Sequence, residues 1–394
     1  MIRFELAVTP EIVFGPSLVD ALGEQTARFG RRALLVTGGG SLERIGVVAR
    51  VEALLAERGV SVARVSVAGE PDTETVDRVT QSARAESCDV VVGLGGGSAL
   101  DAAKSAAALV TNGGEALDYL EVVGRGRALE RPSLPFLAVP TTGGTGSETT
   151  KNAVLLHRAS RTKASLRSPH LLPRLALVDP QLSFSVPPET TAATGLDALT
   201  QLIEPFTSRR AQPLVDALAW DAMRRAAHAL PRAFEEPDNL AARSDMMLAS
   251  LVSGIALAHA GLGAAHAFAG PLGGTFPVPH GFACAAVLPH VMEANLRAAP
   301  GSHAGDEAVR RYAEVARALN ADHGKTGKMA ARGGIEFVRE LCVRLGVPPL
   351  SRYGVTREAV PDLVARAKLT SSMRANPVDL TDEELAGILI AAIG

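Results

Sequence analysis

Two histidines, His266 and His280, lie in a glycine-rich apolar stretch, GLGAAHAFAGPLGGTFPVPHGFACAAVLP, that spans residues 261–289. Neutral imidazole is a common ligand of zinc and iron, and histidines on two helices that meet across a glycine-rich bend can share one ion. Two histidines alone are as readily ordinary core or surface groups. A carboxylate upstream changes that reading. In TAATGLDALTQLIEPF, Asp197 and Gln201 stand four residues apart in a helical pattern, so both side chains leave the same face. Asp197, His266 and His280 would then make a site of two imidazoles and one carboxylate, with positions left open for substrate. The chemistry of such a site is Lewis-acid polarisation of a substrate oxygen. The other histidines, His157, His170, His228, His259, His290, His303 and His323, are assigned to structure or solvent, although His259 and His290 flank the same stretch.

The elements that position these residues follow from the rest of the chain. At 394 residues it exceeds what one core fills, so two domains are expected. A hydrophobic fraction of 47% and a net charge of -2 describe a globular protein with no electrostatic case for nucleic acid or membrane as partner. Cys88, Cys284 and Cys342 are odd in number, far apart and in apolar contexts, and read as reduced core thiols of a cytoplasmic protein. The first residues mix in charge and lack a secretory pattern, and later apolar runs are broken by glycine, proline or charge before they reach spanning length.

The first half alternates β-branched runs with helical patterns, which predicts an α/β domain with a mostly parallel, Rossmann-like sheet. Residues 32–37 (RALLVT) read as a strand that ends in Gly38, Gly39, Gly40 and Ser41, followed by a helix at 47–57 and a strand at 60–67. Glycines after a strand let the backbone approach a phosphate, and a helix N-terminus adds unpaired N–H groups. A second strand, 88–93, runs through Leu94 into Gly95, Gly96, Gly97 and Ser98, with Ser98 as the expected N-cap of the next helix. The spacing is not the usual dinucleotide fingerprint, so an ordinary glycine-rich connection stays open on residue pattern alone. Residues 136–139 give another strand, and 175–179 close the sheet region. A proline- and threonine-rich transition at 183–195 then divides a dinucleotide-binding domain, 1–182, from an all-α metal- and substrate-binding domain, 183–394, with helical spacing at 194–208, 215–230, 241–260, 308–319, 333–345 and 356–367.

The segments GLDALTQLIEPF and GLGAAHAFAGPLGGTFPVPHG resemble the iron-containing, or group III, alcohol dehydrogenases, and the resemblance runs from Val13 through Pro377. It implies a metal-dependent oxidoreductase that moves a hydride between NAD(P) and a small alcohol or aldehyde. It also implies an iron or zinc ion and a homo-oligomer. The family usually has one aspartate and three histidines as ligands; the matching positions are Asp197, Gln201, His266 and His280, so a glutamine stands in for one imidazole. A further substrate-side histidine of the family is matched by Gly270. The motif GGGSxxDxxK matches Gly95, Gly96, Gly97, Ser98, Asp101 and Lys104, which the resemblance assigns to the cofactor diphosphate. PTTxGTGSE matches the loop with Thr141, Thr142 and Ser147, which would contact phosphate, ribose or nicotinamide, and Lys163 matches a lysine near the same pocket. Where the family often has an aspartate that repels a ribose phosphate, this chain has small residues, with Ser41 and Arg44 close by and Glu43 opposing them. NADP is therefore expected over NAD. Two alternatives follow from the departures: a maleylacetate reductase-like enzyme without a tightly held metal, and a non-catalytic nucleotide-binding relative.

Overall fold

The computed structural model describes residues 4–6, 9–299 and 303–394. The chain divides into two compact units, one of residues 8–186 and one of residues 187–394 together with the first seven residues.

In the first unit, six strands form a parallel sheet: β1 (Glu11–Phe14), β2 (Arg32–Thr37), β3 (Ser61–Ser66), β4 (Val90–Gly95), β5 (Phe136–Pro140) and, after a separate hairpin, β8 (Leu175–Val178). Their order is β1-β8-β5-β4-β2-β3. The central strands are apolar on both faces because helices cover both. Leu34, Val36, Val91 and Ala138 pack on one side with Val76, Val79 and the alanines of the helix Gly97–Asn112. Ala33, Leu35, Val90, Val92 and Leu137 pack on the other with Val48, Val51 and Leu55 of the helix Val47–Glu57. The order in which strands are added reverses between β2 and β4, with β3 on one side and β4, β5 and β8 on the other, and a parallel sheet binds ligands beyond the carboxyl ends of its strands at such a switch point.

The sequence reading differs from this sheet in two places. The hairpin of β6 (Asn152–His157) and β7 (Thr162–Arg167) was not expected, nor was β1. The hairpin turn carries no Asn-Gly or Asp-Gly pair; Arg161 takes the positive φ of 49° that glycine or asparagine ordinarily supplies. Ser98 is also not an N-cap. The helix starts at Gly97 with Gly96 as its cap residue, because two glycines admit the turn before any side chain is needed to close it.

The second unit is helical, with no strand among its described residues. Three helices matter for chemistry: Pro188–Thr207, Ala264–Thr275 and His280–Ala298. The first begins at Pro188, six residues before the predicted 194, because proline at the first helical position has its φ preset and no N–H to satisfy. The helix Leu240–Ala260 is long and apolar enough to cross a bilayer by composition, yet it is a core helix whose buried Arg243 donates to Thr191 Oγ1 at 2.9 Å and Pro237 O at 2.7 Å.

Candidate metal centre

Asp197 leaves the buried face of the Pro188–Thr207 helix together with Gln201 and Glu204, one and two turns further on. Gln201 Nε2 donates to Asp197 Oδ2 at 3.0 Å, which fixes the carboxylate and leaves Oδ1 to face inward. Glu204 works on the next helix. Its Oε1 accepts from the Ala265 N–H at 2.7 Å, at the N-terminus of Ala264–Thr275, where a negative charge is favoured. Its Oε2 accepts from His266 Nδ1 at 2.6 Å. Glu204 favours a proton at Nδ1, so that Nε2 is the atom of His266 left to bind a cation. His280 opens its own helix, and Cys284 follows one turn later on the same face.

These side chains converge. His266 Nε2 stands 3.3 Å and His280 Nε2 3.8 Å from Asp197 Oδ1, and Cys284 Sγ lies 3.9 Å from His280 Nε2. One donor atom from each of Asp197, His266, His280 and Cys284 lies within 4.8 Å of every other. Asp197 Oδ1 and His266 Nε2 are buried, 3.3 Å apart, and neither has a partner other than the groups of this cluster. Buried polar atoms normally find a partner, and a carboxylate oxygen and an imidazole nitrogen brought together beside the second imidazole, that of His280, fit a divalent cation. Burial pushes the Asp197 carboxyl up, but the imidazoles of His280 and His266 more than offset it and hold it below its usual range. Burial pushes the Cys284 thiol up to about 12, so without a cation it is a neutral SH.

The structure thus brings together Asp197, Gln201, His266 and His280 as the sequence suggested, and adds Cys284 and Glu204. Cys284 was read only as a core thiol. Its signal was the four-residue step from His280, just as Glu204 follows Asp197 by seven. His259 serves structure: its Nδ1 bonds to the Ile255 carbonyl at 3.0 Å.

In the first unit, the three glycine- and threonine-rich loops meet at the carboxyl ends of neighbouring β2, β4 and β5. A Cβ on Gly95 would come within 3.2 Å of Gly38 N, one on Gly96 within 3.2 Å of Thr142 Oγ1, and one on Gly97 within 2.7 Å of Thr145 Cγ2. Glycine fits here because the Gly95 backbone packs on that of Gly38 while the side chains of Thr142 and Thr145 lie against Gly96 and Gly97. Gly38, Gly39, Gly40 and Ser41 lead into a short helix, Ser41–Arg44, and Thr141 N donates to Gly95 O at 3.0 Å.

Asp101 and Lys104 knit these loops rather than face outward. The three N–H groups of the fully buried Lys104 Nζ are shared among five acceptors: Ser147 O at 2.7 Å, Ser147 Oγ at 3.0 Å, Thr150 O at 3.2 Å, Thr150 Oγ1 at 3.0 Å and Asn152 O at 2.9 Å. Asp101 accepts from Ser147 Oγ at 2.6 Å and Val154 N at 2.9 Å. Lys163, on β7, pairs with Glu70 at 2.8 Å.

Beside this clamp, Glu148 is buried and its Oε1 has no hydrogen-bond partner. Burial raises its carboxyl to about 7, against its own backbone N–H and the charge of Lys104. A carboxyl raised on folding stabilises fully below its unfolded pKa, and that contribution is lost as pH climbs through the folded value. From the ordinary 4.5 to about 7 the loss amounts to about 3 kcal/mol at 1.36 kcal/mol per unit. Urea midpoints are therefore expected to fall between pH 5 and 7.5 in the wild type and to fall less in Glu148→Gln. An unchanged slope in the variant would refute this.

The family model for iron-containing alcohol dehydrogenases matches residues 9–180, and the C-terminal model of the same family matches residues 191–393. Long-chain-alcohol dehydrogenase 1 of Geobacillus thermodenitrificans is 36% identical over 391 residues, covering 97% of this chain and 96% of its own. The crystal structure of an archaeal halo-thermophilic Red Sea brine pool alcohol dehydrogenase superposes with a TM-score of 0.92 at 29% identity, covering 100% of this chain and 99% of that one. Sulfoacetaldehyde reductase from Bifidobacterium kashiwanohense, in complex with NAD+, superposes with a TM-score of 0.86 at 31% identity, again covering 100% and 99%.

Proposed function

This chain belongs to the iron-containing alcohol dehydrogenase family, and on that premise we propose that Asp197, His266 and His280 hold its metal while Gly38 to Ser41, Gly95 to Ser98, Thr141 and Thr142 cradle its cofactor. It is a metal-dependent oxidoreductase that transfers a hydride between NAD(P) and an alcohol or aldehyde. The observation that carries the site assignment is the pair of buried ligand atoms, Asp197 Oδ1 and His266 Nε2, 3.3 Å apart and without partners outside the cluster, beside His280. A divalent ion there supplies Lewis acidity at the substrate oxygen, and the nicotinamide supplies or takes the hydride.

The residues themselves do the positioning. Glu204 holds the proton on His266 Nδ1, Gln201 fixes Asp197, and Asp101, Lys104 and Ser147 lock the phosphate-side loop so that its backbone donors are set in advance. Gly270, whose Cβ position has no atom within 4 Å, leaves room for the substrate. The substrate is a small alcohol or aldehyde, and the enzyme works as a cytoplasmic homo-oligomer. Nicotinamide absorbance followed over a panel of alcohols, aldehydes and keto acids, with zinc or iron supplied, tests this; no turnover on any of them would refute it.

NADP is the preferred cofactor in this reading. Glu43, the residue that opposes a ribose phosphate, is engaged by Arg64 at 3.2 Å, and Arg44 reaches back over Gly40, its Nη1 3.7 Å from that glycine's Cβ position. A charge-assisted contact to the phosphate contributes roughly 1.5–3 kcal/mol. Arg44→Ala should then lower kcat/KM for NADP about tenfold or more and leave the value for NAD nearly unchanged. A wild-type kcat/KM higher for NAD than for NADP would show the preference to be wrong.

A further inference from the structure

We infer that Cys284 supplies the fourth protein donor of the metal site, in place of the imidazole that Gln201 does not provide, and that the resulting Asp/His/His/Cys set selects zinc over iron. This rests on the reading of Asp197, His266 and His280 as ligands.

Three of the six distances among the four candidate donors are close to the edges of a tetrahedron. Ligand atoms held at about 2.0–2.3 Å from a zinc ion stand roughly 3.3–3.8 Å from one another. The observed edges are 3.3 Å for His266 Nε2 to Asp197 Oδ1, 3.8 Å for His280 Nε2 to Asp197 Oδ1 and 3.9 Å for Cys284 Sγ to His280 Nε2. His266 Nε2 and Asp197 Oδ1 have no partners outside this cluster and lie with the thiol and His280 inside one 4.8 Å group, so Cys284 is not an isolated cysteine. Gln201 Nε2 donates to Asp197 Oδ2 at 3.0 Å, and what Gln201 has left for a metal is an amide oxygen, a weaker donor to zinc than a thiolate. The helix that carries His280 replaces the missing donor one turn later, on the same face.

The substitution changes the metal. Imidazole and carboxylate accept iron and zinc alike, whereas a thiolate favours zinc, which already stands above ferrous iron in intrinsic affinity. Binding is a proton exchange without redox change: the Sγ–H proton leaves to solvent as the sulfur–metal bond forms.

The test uses the full-length protein, stripped with chelator and reloaded anaerobically. Cobalt(II) bound by a thiolate gives a near-ultraviolet sulfur-to-metal charge-transfer band. That band is expected in the wild type and in Cys342→Ser, a buried thiol elsewhere in the same unit, and is expected to be lost in Cys284→Ser and Cys284→Ala. In competition between equal zinc(II) and iron(II), the bound zinc-to-iron ratio should fall about tenfold or more in Cys284→Ser. Should cobalt bind the wild type at one per chain, depend on His266 and show no near-ultraviolet band, Cys284 is not a ligand while the three-residue site stands. An unchanged metal ratio in Cys284→Ser would overturn the selectivity. If cobalt does not bind, or binds His266→Ala equally well, the ligand assignment itself fails. The wild-type and Cys342→Ser spectra decide the matter even if the Cys284 variants fold poorly.

Discussion

His266→Ala is expected to lose the bound metal and to lower kcat about a thousandfold, because Lewis-acid stabilisation contributes several kcal/mol and each 1.36 kcal/mol is a decade in rate. The same change strips partners from two buried carboxylates. Asp197 Oδ1 would face an empty site, and Glu204 Oε2 would lose the Nδ1–H that it accepts at 2.6 Å. Leaving buried polar groups unpaired costs about 1–3 kcal/mol each, so a fall in stability must be separated from a loss of metal. His280→Ala provides the separation. The His280 side chain is 37% exposed against 5% for His266, so its removal leaves less buried polarity unpaired while deleting one ligand. Metal content per folded chain and kcat should fall in both variants, and urea stability mainly in His266→Ala. If His266→Ala retains metal and turnover, the site proposed here does not exist.

Much of this candidate site is legible in the sequence, for reasons that differ residue by residue. Asp197 and Gln201 were legible because helical spacing converts directly into a shared face, which the bond between them bears out. His266 and His280, as readily ordinary groups on their own, gain their reading as ligands from Asp197 upstream and from the family resemblance. Cys284 and Glu204 obey the same spacing rule, yet each has a plausible ordinary role, a core thiol and a helix carboxylate. Only their distances to the imidazoles separate the functional role from the ordinary one. Lys104 illustrates the opposite case. A lysine after a glycine-rich loop suggests a cation for phosphate, whereas its complete burial among the backbone carbonyls and hydroxyls of residues 147–152 makes it the clamp that shapes the loop. Tertiary partners of that kind are set by where two distant segments meet, which pattern within either segment does not record. The alternation of strands and helices, by contrast, is a local property, and it predicted the parallel sheet and the helical second half.

Gly281→Ala is expected to damage stability and metal binding together. A Cβ at Gly281 would lie 1.9 Å from Ala193 O and 2.5 Å from Ala193 C, both backbone atoms of the Pro188–Thr207 helix, so no side-chain rotation relieves the clash. The two helices must move apart by more than about 1 Å to reach an ordinary contact, and overpacking of this kind costs roughly 1–3 kcal/mol. One of those helices carries Asp197 and the other begins with His280, the residue next to the substitution. Their separation is therefore transmitted straight to the 3.8 Å spacing between His280 Nε2 and Asp197 Oδ1. A misplacement of about 1 Å at a catalytic constellation costs on the order of a hundredfold in rate. Gly270→Ala is the matched control within the same unit: its Cβ position has no atom within 4 Å, so alanine there should be neutral or stabilise its helix by about 0.5–1 kcal/mol. Urea unfolding and metal retention measured on both variants decide the point. A Gly281→Ala protein as stable and as metal-loaded as the wild type would mean that the close approach of these two helices does not set the geometry of the site.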